Sequence, residues 1–246
     1  MRNLHEIVHL GYPVMVAVSR KRFVGEAYHV EELHDRDVAS AAEALLACEL
    51  GASVVRTHNV EMTAAALKDL RPAVLLGLGS NVALVAEPGE ETEAKIAQLN
   101  LAVGQLCSLP DTQIMDMSSF YESEPAYETR QDAFANAVIE IKTELAPLVL
   151  LDELMKIEAE LGRDRSKKAK VNGPRTIDLD LLWMDGETHG GKKLRLPHPL
   201  IGERDFVLVP LEDLMHDPAR FFRYNGVEVK EPEDRVGHIV GELGRM

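Results

Sequence analysis

Cysteine is scarce in this chain: Cys48 and Cys107 are the 2 present in 246 residues. Each lies in a stretch with helical spacing, and no CxxC pattern occurs. That excludes a disulfide framework and a cysteine-built zinc site, and both thiols read as small buried residues in a reducing, cytoplasmic setting. Long apolar runs are also missing. Nothing approaches the roughly 20 residues needed to span a bilayer, and the N-terminal MRNLHEIVHLGYP lacks the apolar stretch of a signal peptide. The chain therefore reads as soluble and unsecreted, with no membrane partner. Positive charge is short as well: 27 Lys and Arg stand against 41 Asp and Glu, a formal net charge of −14. Nucleic acid is not an expected partner of so acidic a protein, and a local cluster of cations stands out against the background.

What is present is ordinary folded-protein composition, 46% hydrophobic with 17 Gly and 12 Pro, in a length that fits one domain of about 150 residues plus a smaller neighbour. From residue 73 the pattern becomes regular. AVLLGLGS (73–80) reads as a strand, and Ile96, Leu99, Val103 and Leu106 give residues 91–107 a helical stripe. TQIMDMSSFY (112–121) and FANAVIEIKT (134–143) read as strands, Pro147 opens a helix running to Leu161, and TIDLDLLWMD (176–185) is a final strand. Strand, helix, strand, strand, helix, strand is the order of the α+β, ferredoxin-like βαββαβ sandwich, with both helices on one face and the other free for a ligand.

Residues 1–71 alternate differently. YPVMVAVS and SVVRTH read as strands, and residues 38–50 and VEMTAAALKDL as helices. Such alternation predicts parallel strands joined by helical crossovers. Two units of this kind cannot close a barrel, so this region is a partial (β/α) barrel segment. The expected division is 1–71, a second domain over 73–220, and a tail over 221–246, with Pro72 after KDLR at the boundary.

Three motifs carry chemistry. In NGPRTIDLDLL (172–182), Asp178 and Asp180 alternate with Ile177, Leu179 and Leu181, which sends both carboxylates to one face of a strand. Two such carboxylates suit Mg²⁺ shared with nucleotide phosphates, although an ordinary half-solvated strand has the same pattern. Upstream, Arg163, Arg165, Lys167, Lys168 and Lys170 crowd into eight residues, followed by Arg175; they make either a solvated loop or an anion site. LPHPLIGERDFVLVPL (196–211) places His198 and Arg204 in a polar segment ahead of an apolar run. A Walker-type loop is absent: GETHGGKK (186–193) has Lys193 where Ser or Thr is required, and reads as a turn.

The segments GLGSN (77–81), FYESEP (120–125), FANAV (134–138), IEAELGR (157–163), GPRTIDLDLL (173–182) and LPHPLIGERDFVLVPL, in this order and spacing, closely resemble the 6-hydroxymethyl-7,8-dihydropterin pyrophosphokinase family. The resemblance implies diphosphate transfer from ATP to that pterin, giving AMP, in folate synthesis. It makes Asp178 and Asp180 ligands of two Mg²⁺ ions, and Arg163, Arg175, His198 and Arg204 contacts to the ATP phosphates, with Glu158 and Arg165 along the nucleotide site. It assigns Ser123, Pro125, Phe134, Asn136 and Phe206 to the pterin pocket, the rings stacking on the heterocycle and Asn136 bonding its polar edge. Asn172 stands where some members have Trp, and the loop from Arg163 to Gly173 is slightly longer than in the shortest members. No side chain in these motifs is an obvious general base.

In the N-terminal region SRKRFVG (19–25) and RTHNV (56–60) resemble the last two strands of dihydropteroate synthase, a (β/α)₈ barrel. That resemblance implies Lys21 as a pterin contact, Ser19 as a contact on the aminobenzoate side, and Arg56 with His58 as an anion site. The earlier strands of that family have no counterpart here, so no synthase activity is expected from these residues alone. An isolated quarter-barrel exposes strand edges and apolar faces, and is expected to be loosely ordered, to self-associate, or to pack on a partner such as a dihydropteroate synthase polypeptide.

Overall fold

The structure, a computed structural model, describes residues 3–67, 71–165 and 172–245. The chain divides into two compact units, one of residues 1–71 with 215–217, the other of 72–214 with 218–246. No helix among the described residues is long and apolar enough to cross a membrane.

The first unit contains α1 (Leu4–Val8), β1 (Met15–Val16), α2 (Arg22–Tyr28), α3 (Arg36–Glu49), β2 (Val54–Val55) and α4 (Val60–Leu67). β1 and β2 pair in parallel, Met15 opposite Val54 and Val16 opposite Val55, with helices between them as the alternation predicts. The strands are far shorter than the apolar stretches that suggested them. With one neighbour each, their ladder holds two residues a side, and the flanking backbone turns into caps and helices. The core is small and aliphatic: Leu4, Ala47 and Ala52 in one cluster, Val18, Val24 and Ala39 in another. Met15 and Val54 of the two strands stay outside it, at 61% and 48% exposure.

The second unit begins with β3 (Ala73–Ser80), α5 (Glu91–Leu106), β4 (Thr112–Met117), β5 (Phe120–Ser123), β6 (Phe134–Thr143), α6 (Pro147–Glu160) and β7 (Asp178–Met184). It continues with the small hairpin β8 (His189–Gly190) and β9 (Arg195–Leu196), then α7 (Asp205–Leu211), α8 (Pro218–Tyr224) and β10 (Ile239–Gly244). Its main sheet has six strands in the order β10-β5-β6-β3-β7, with β4 also on β6. All its pairings are antiparallel.

The stretch read as one strand over 112–121 is broken into β4 and β5 at Ser118 and Ser119. There the Ser118 hydroxyl accepts the Val138 N–H (2.9 Å) and donates to the Ser119 carbonyl (2.7 Å), so a side chain replaces a rung of the ladder. GETHGGKK is a turn and hairpin, as expected. Residues 221–246, which the sequence leaves as a tail, supply most of α8 and the edge strand β10.

Alternation sorts the strands onto two faces. Val74, Leu76 and Leu78 of β3, Ala137, Ile139 and Ile141 of β6, and Leu179 and Leu181 of β7 pack against Leu99, Val103 and Leu106 of α5 and Leu150, Leu154 and Ile157 of α6. The other face is only partly open. The run FVLVPL folds as α7, which packs across β5, β6 and β10 and leaves a cleft at one end of the sheet. Cys107, expected to be buried, is exposed, because it follows Leu106, the last inward position of α5.

Candidate active site

The cleft opens where four strand positions line up across the sheet. Tyr121 of β5 stands opposite Asn136 of β6, Asn136 opposite Gly79 of β3, and Gly79 opposite Asp178 of β7. One step further along, Gly77 stands opposite Asp180. Paired residues share a face, so both carboxylates and Asn136 point to the same side, with glycine between them. A Cβ added at Gly79 would lie 3.2 Å from Asn136 Oδ1 and 3.9 Å from Asp178 Cβ. The glycines of GLGSN therefore keep the floor of the cleft flat.

Among the described residues, the cations paired with these carboxylates are arginines. Arg175 Nη1 donates to Asp178 Oδ2 at 2.5 Å, Arg163 Nη2 lies 3.2 Å from Asp178 Oδ1, and Arg204 Nη1 donates to Asp180 Oδ2 at 3.0 Å. Burial, and then the charge of Asp180, push the Asp178 carboxyl above the usual carboxylate range, while Arg175 and Arg163 pull the other way. A low-dielectric floor with two like charges is a place that favours a cation. Among the described residues no group of three or more His, Cys, Asp and Glu could hold a metal. Two carboxylates facing an open cleft fit Mg²⁺, which takes one or two carboxylates together with substrate phosphates, and do not fit zinc.

His198 sits beside them. Burial and the charge of Arg204 lower its pKa to about 4, against a smaller opposing pull from Asp178. Its Nδ1 accepts the Leu200 N–H at 3.3 Å, so the neutral ring carries its proton on Nε2 and can donate there. Glu158 is buried on α6. Its Oε1 accepts the N–H of Leu179 at 2.9 Å, on the outer edge of β7 between the two aspartates, and its Oε2 accepts from Arg165 Nε at 2.9 Å. Arg165 is thus held at the rim by Glu158 rather than inside the cleft.

The opposite wall is aromatic and amide. Asn136 Nδ2 donates to Ser123 Oγ at 2.8 Å, both side chains buried. The Arg175 guanidinium lies 5.6 Å from the Phe134 ring centre, and that of Arg204 lies 5.7 Å from Tyr127 and 5.3 Å from Phe206. The cleft encloses about 630 Å³ of space open to solvent.

Of the residues named from sequence, Ser123, Phe134, Asn136, Arg175, Asp178, Asp180, Arg204 and Phe206 line this space together. Arg163 touches it through Asp178, while Pro125, Glu158, Arg165 and His198 do not line it. Lys167, Lys168 and Lys170 lie outside the described residues. Sequence reasoning missed Tyr127 and Gln131, which line the cleft, and Asn81. The buried Asn81 side chain accepts the Arg175 N–H at 2.8 Å and donates to Gln131 Oε1 at 3.0 Å and the Asp132 carbonyl at 3.2 Å. It thereby joins the loops before Phe134 and before Asp178. Its place at the end of GLGSN was the available signal.

Residues 75–216 match the family model for 7,8-dihydro-6-hydroxymethylpterin-pyrophosphokinase. The chain belongs to this pyrophosphokinase family. Among curated relatives, the 2-amino-4-hydroxy-6-hydroxymethyldihydropteridine pyrophosphokinase of Haemophilus influenzae is 40% identical over 129 residues, 52% of this chain and 79% of its own length. The pyrophosphokinase of the same name from Methylorubrum extorquens is 41% identical over 142 residues, 58% of this chain and 82% of its own. A folic acid synthesis protein of Dictyostelium discoideum is 42% identical over 101 residues, 41% of this chain and 15% of its own.

Ahead of the pyrophosphokinase match, residues 1–58 match the model described as pterin binding enzyme. A crystal structure of dihydropteroate synthase from Thermus thermophilus in complex with 4-aminobenzoate is 43% identical, covering 27% of this chain and 26% of its own, at a TM-score of 0.27. In this unit the Ser19 hydroxyl accepts the His58 backbone N–H at 3.1 Å and lies 3.0 Å from His58 Nδ1. Lys21 and Arg56 are exposed on the same two loops. Those loops are tied by groups the sequence did not single out: Asp37 accepts from Arg20 Nε at 2.7 Å and from Asn59 Nδ2 at 3.1 Å.

Proposed function

We propose that this chain transfers the β,γ-diphosphate of ATP to the hydroxymethyl group of 6-hydroxymethyl-7,8-dihydropterin, releasing AMP, in folate synthesis. The observation that carries the reading is the juxtaposition of the Asp178–Asp180 pair and its arginines with the Asn136–Phe134–Phe206 wall in one cleft. One side suits a charged phosphate chain and the other a flat heterocycle.

Asn136 and Ser123 offer an amide and a hydroxyl to the polar edge of the pterin, and Phe134 and Phe206 supply the stacking faces, with Pro125 at the margin of the pocket. Asp178 and Asp180 would hold two Mg²⁺ ions, which when bound neutralise charge on the triphosphate. Arg163, Arg175 and Arg204, now on the carboxylates, have donors within reach of phosphate oxygens, and His198 offers Nε2–H. Glu158 keeps the edge of β7 and the Arg165 side chain in place along the nucleotide. The pterin oxygen forms its bond to the β-phosphorus as the bond to the α-phosphate bridging oxygen breaks. AMP carries away that electron pair, and the hydroxymethyl proton passes to solvent. Positioning and fixed positive charge do the work without a named base.

The same reading gives the second unit a ferredoxin-like sandwich, supported by the order β7-β3-β6 with β4 and β5 beside β6. It sets the domain limits at 1–71 and 73–220, supported by the division into units at Arg71 and Pro72, and adds 221–246 to the second domain through β10. A cytoplasmic location goes with use of ATP. Dihydropteroate synthase activity is not assigned to residues 1–71, whose Ser19, Lys21, Arg56 and His58 would form at most one side of a pterin diphosphate site.

The test is product identity. The full chain with ATP, Mg²⁺ and the pterin should give AMP and a pterin diphosphate in equal amounts. Formation of ADP, or AMP without need of the pterin, would overturn the proposal.

A further inference from the structure

We infer that residues 235–239, which lie beyond the stretch matched to the pyrophosphokinase family, are a positioning element for the pterin side of the cleft. The inference rests on the reading above and extends it to a segment that the family match leaves out.

The segment is bonded to both walls of that side. Val236 N–H donates to the Glu203 carbonyl at 2.8 Å and the Asp205 N–H to the Val236 carbonyl at 3.0 Å, forming a parallel bridge at Arg204. Two residues on, the Glu124 N–H donates to the His238 carbonyl at 2.9 Å, and Ile239 pairs with Ser123. One short piece of backbone therefore spans the strand end that carries Ser123 and the segment that carries Arg204 and Phe206. Between these anchors lies Gly237 at φ +64°, and a Cβ there would collide with the Phe206 ring, 2.9 Å from Cε1, and lie 3.5 Å from Ala126 Cβ. Glycine at 237 lets the backbone serve as a flat backing for the ring.

The segment is also fixed by charge. Asp205, at the start of α7 and next to Phe206, lies 3.3 Å from Arg235 Nη1 and 2.7 Å from His238 Nδ1. Arg235 and Asp205 are 12% and 13% exposed, so this pair is largely shielded from solvent. Backbone and side chains together hold this segment, about thirty places downstream, against the Phe206 ring.

The experiment compares wild type, Gly237→Ala and Arg235→Gln in the full chain. It measures equilibrium binding of the pterin and, separately, of a non-hydrolysable ATP analogue, with thermal melting of each variant and AMP release from ATP by wild type. The expected result is a pterin Kd raised about tenfold in both variants, with nucleotide Kd within twofold of wild type. Gly237→Ala should add nothing further when Phe206 is already Leu, since the two share one contact. Arg235→Gln adds no atom beside the ring, so it remains informative if Gly237→Ala does not fold. Unchanged pterin binding in a folded variant, or equal weakening of both ligands, overturns the inference. A wild type that binds pterin yet makes no AMP would sink the kinase reading alone, and one that binds no pterin contradicts both.

Discussion

Gly79 faces Asp178 across the β3–β7 ladder, and on its other side faces Asn136, so one glycine separates the acidic pair from the amide. Any side chain at 79 rises into the space between them. Gly79→Ala should place a methyl 3.2 Å from Asn136 Oδ1, forcing the amide or the ligand to move at a cost of about 1–2 kcal/mol. The expected outcome is a KM for the pterin raised about tenfold, read by steady-state kinetics, with little change in melting temperature.

Asn136 is buried and bonded to Ser123 at 2.8 Å. Asn136→Leu keeps the branched shape and removes the amide, leaving the Ser123 hydroxyl and the pterin edge without that partner, worth about 1–3 kcal/mol. The pterin KM should rise between about tenfold and a hundredfold while the ATP KM stays near wild type. A parallel rise in both would mean that Asn136 supports the fold rather than the ligand.

His198 gives a pH signature. Its folded pKa of about 4 lies below the ordinary histidine value of 6.5 because burial, and then Arg204, disfavour the imidazolium. As pH falls from 6.5 towards 4 the unfolded chain takes up a proton that the native chain refuses, so stability drops through that window, by up to about 3 kcal/mol at pH 4. Denaturant midpoints at pH 7 and pH 4.5 should therefore differ more for wild type than for His198→Gln.

In the first unit Asp37 also loses stability as pH falls, but because its charged form is favoured rather than because a charge is refused. Its hydrogen bond to Arg20 holds its carboxyl at about 2, below the ordinary aspartate value of 3.8 and against the opposing effect of burial. The stabilisation is present above pH 3.8 and is lost as pH falls through 2. Asp37→Ala should remove it at neutral pH, exposing the loops of Ser19 and His58 to faster hydrogen exchange, with AMP release unchanged.

Much of this was legible in the sequence, and the reasons are local. Alternation across IDLDLL put Asp178 and Asp180 on one face because strand periodicity is independent of the rest of the fold. Apart from IEAELGR, the quoted motifs, distant in sequence, each supply residues to one cleft. What could not be read depends on tertiary neighbours. FVLVPL could not be told from a strand, because Pro210 and the valines disfavour helix, and only packing against β6 settles it as α7. The break at Ser118 needed Val138 opposite it, and the roles of Asn81 and Gly237 arise from loops that sequence spacing does not bring together. The first unit's strands were overestimated because their apolar runs lack the neighbours that would extend them.

On the proposed function, Asp178 and Asp180 serve phosphate transfer rather than binding of the pterin. The most direct measurement is single-turnover release of AMP by wild type and Asp180→Asn at saturating ATP, Mg²⁺ and pterin, with pterin affinity measured alongside. The expected rate is lower by at least about a thousandfold, with pterin affinity nearly unchanged. A variant that releases AMP at close to the wild-type rate would contradict that role.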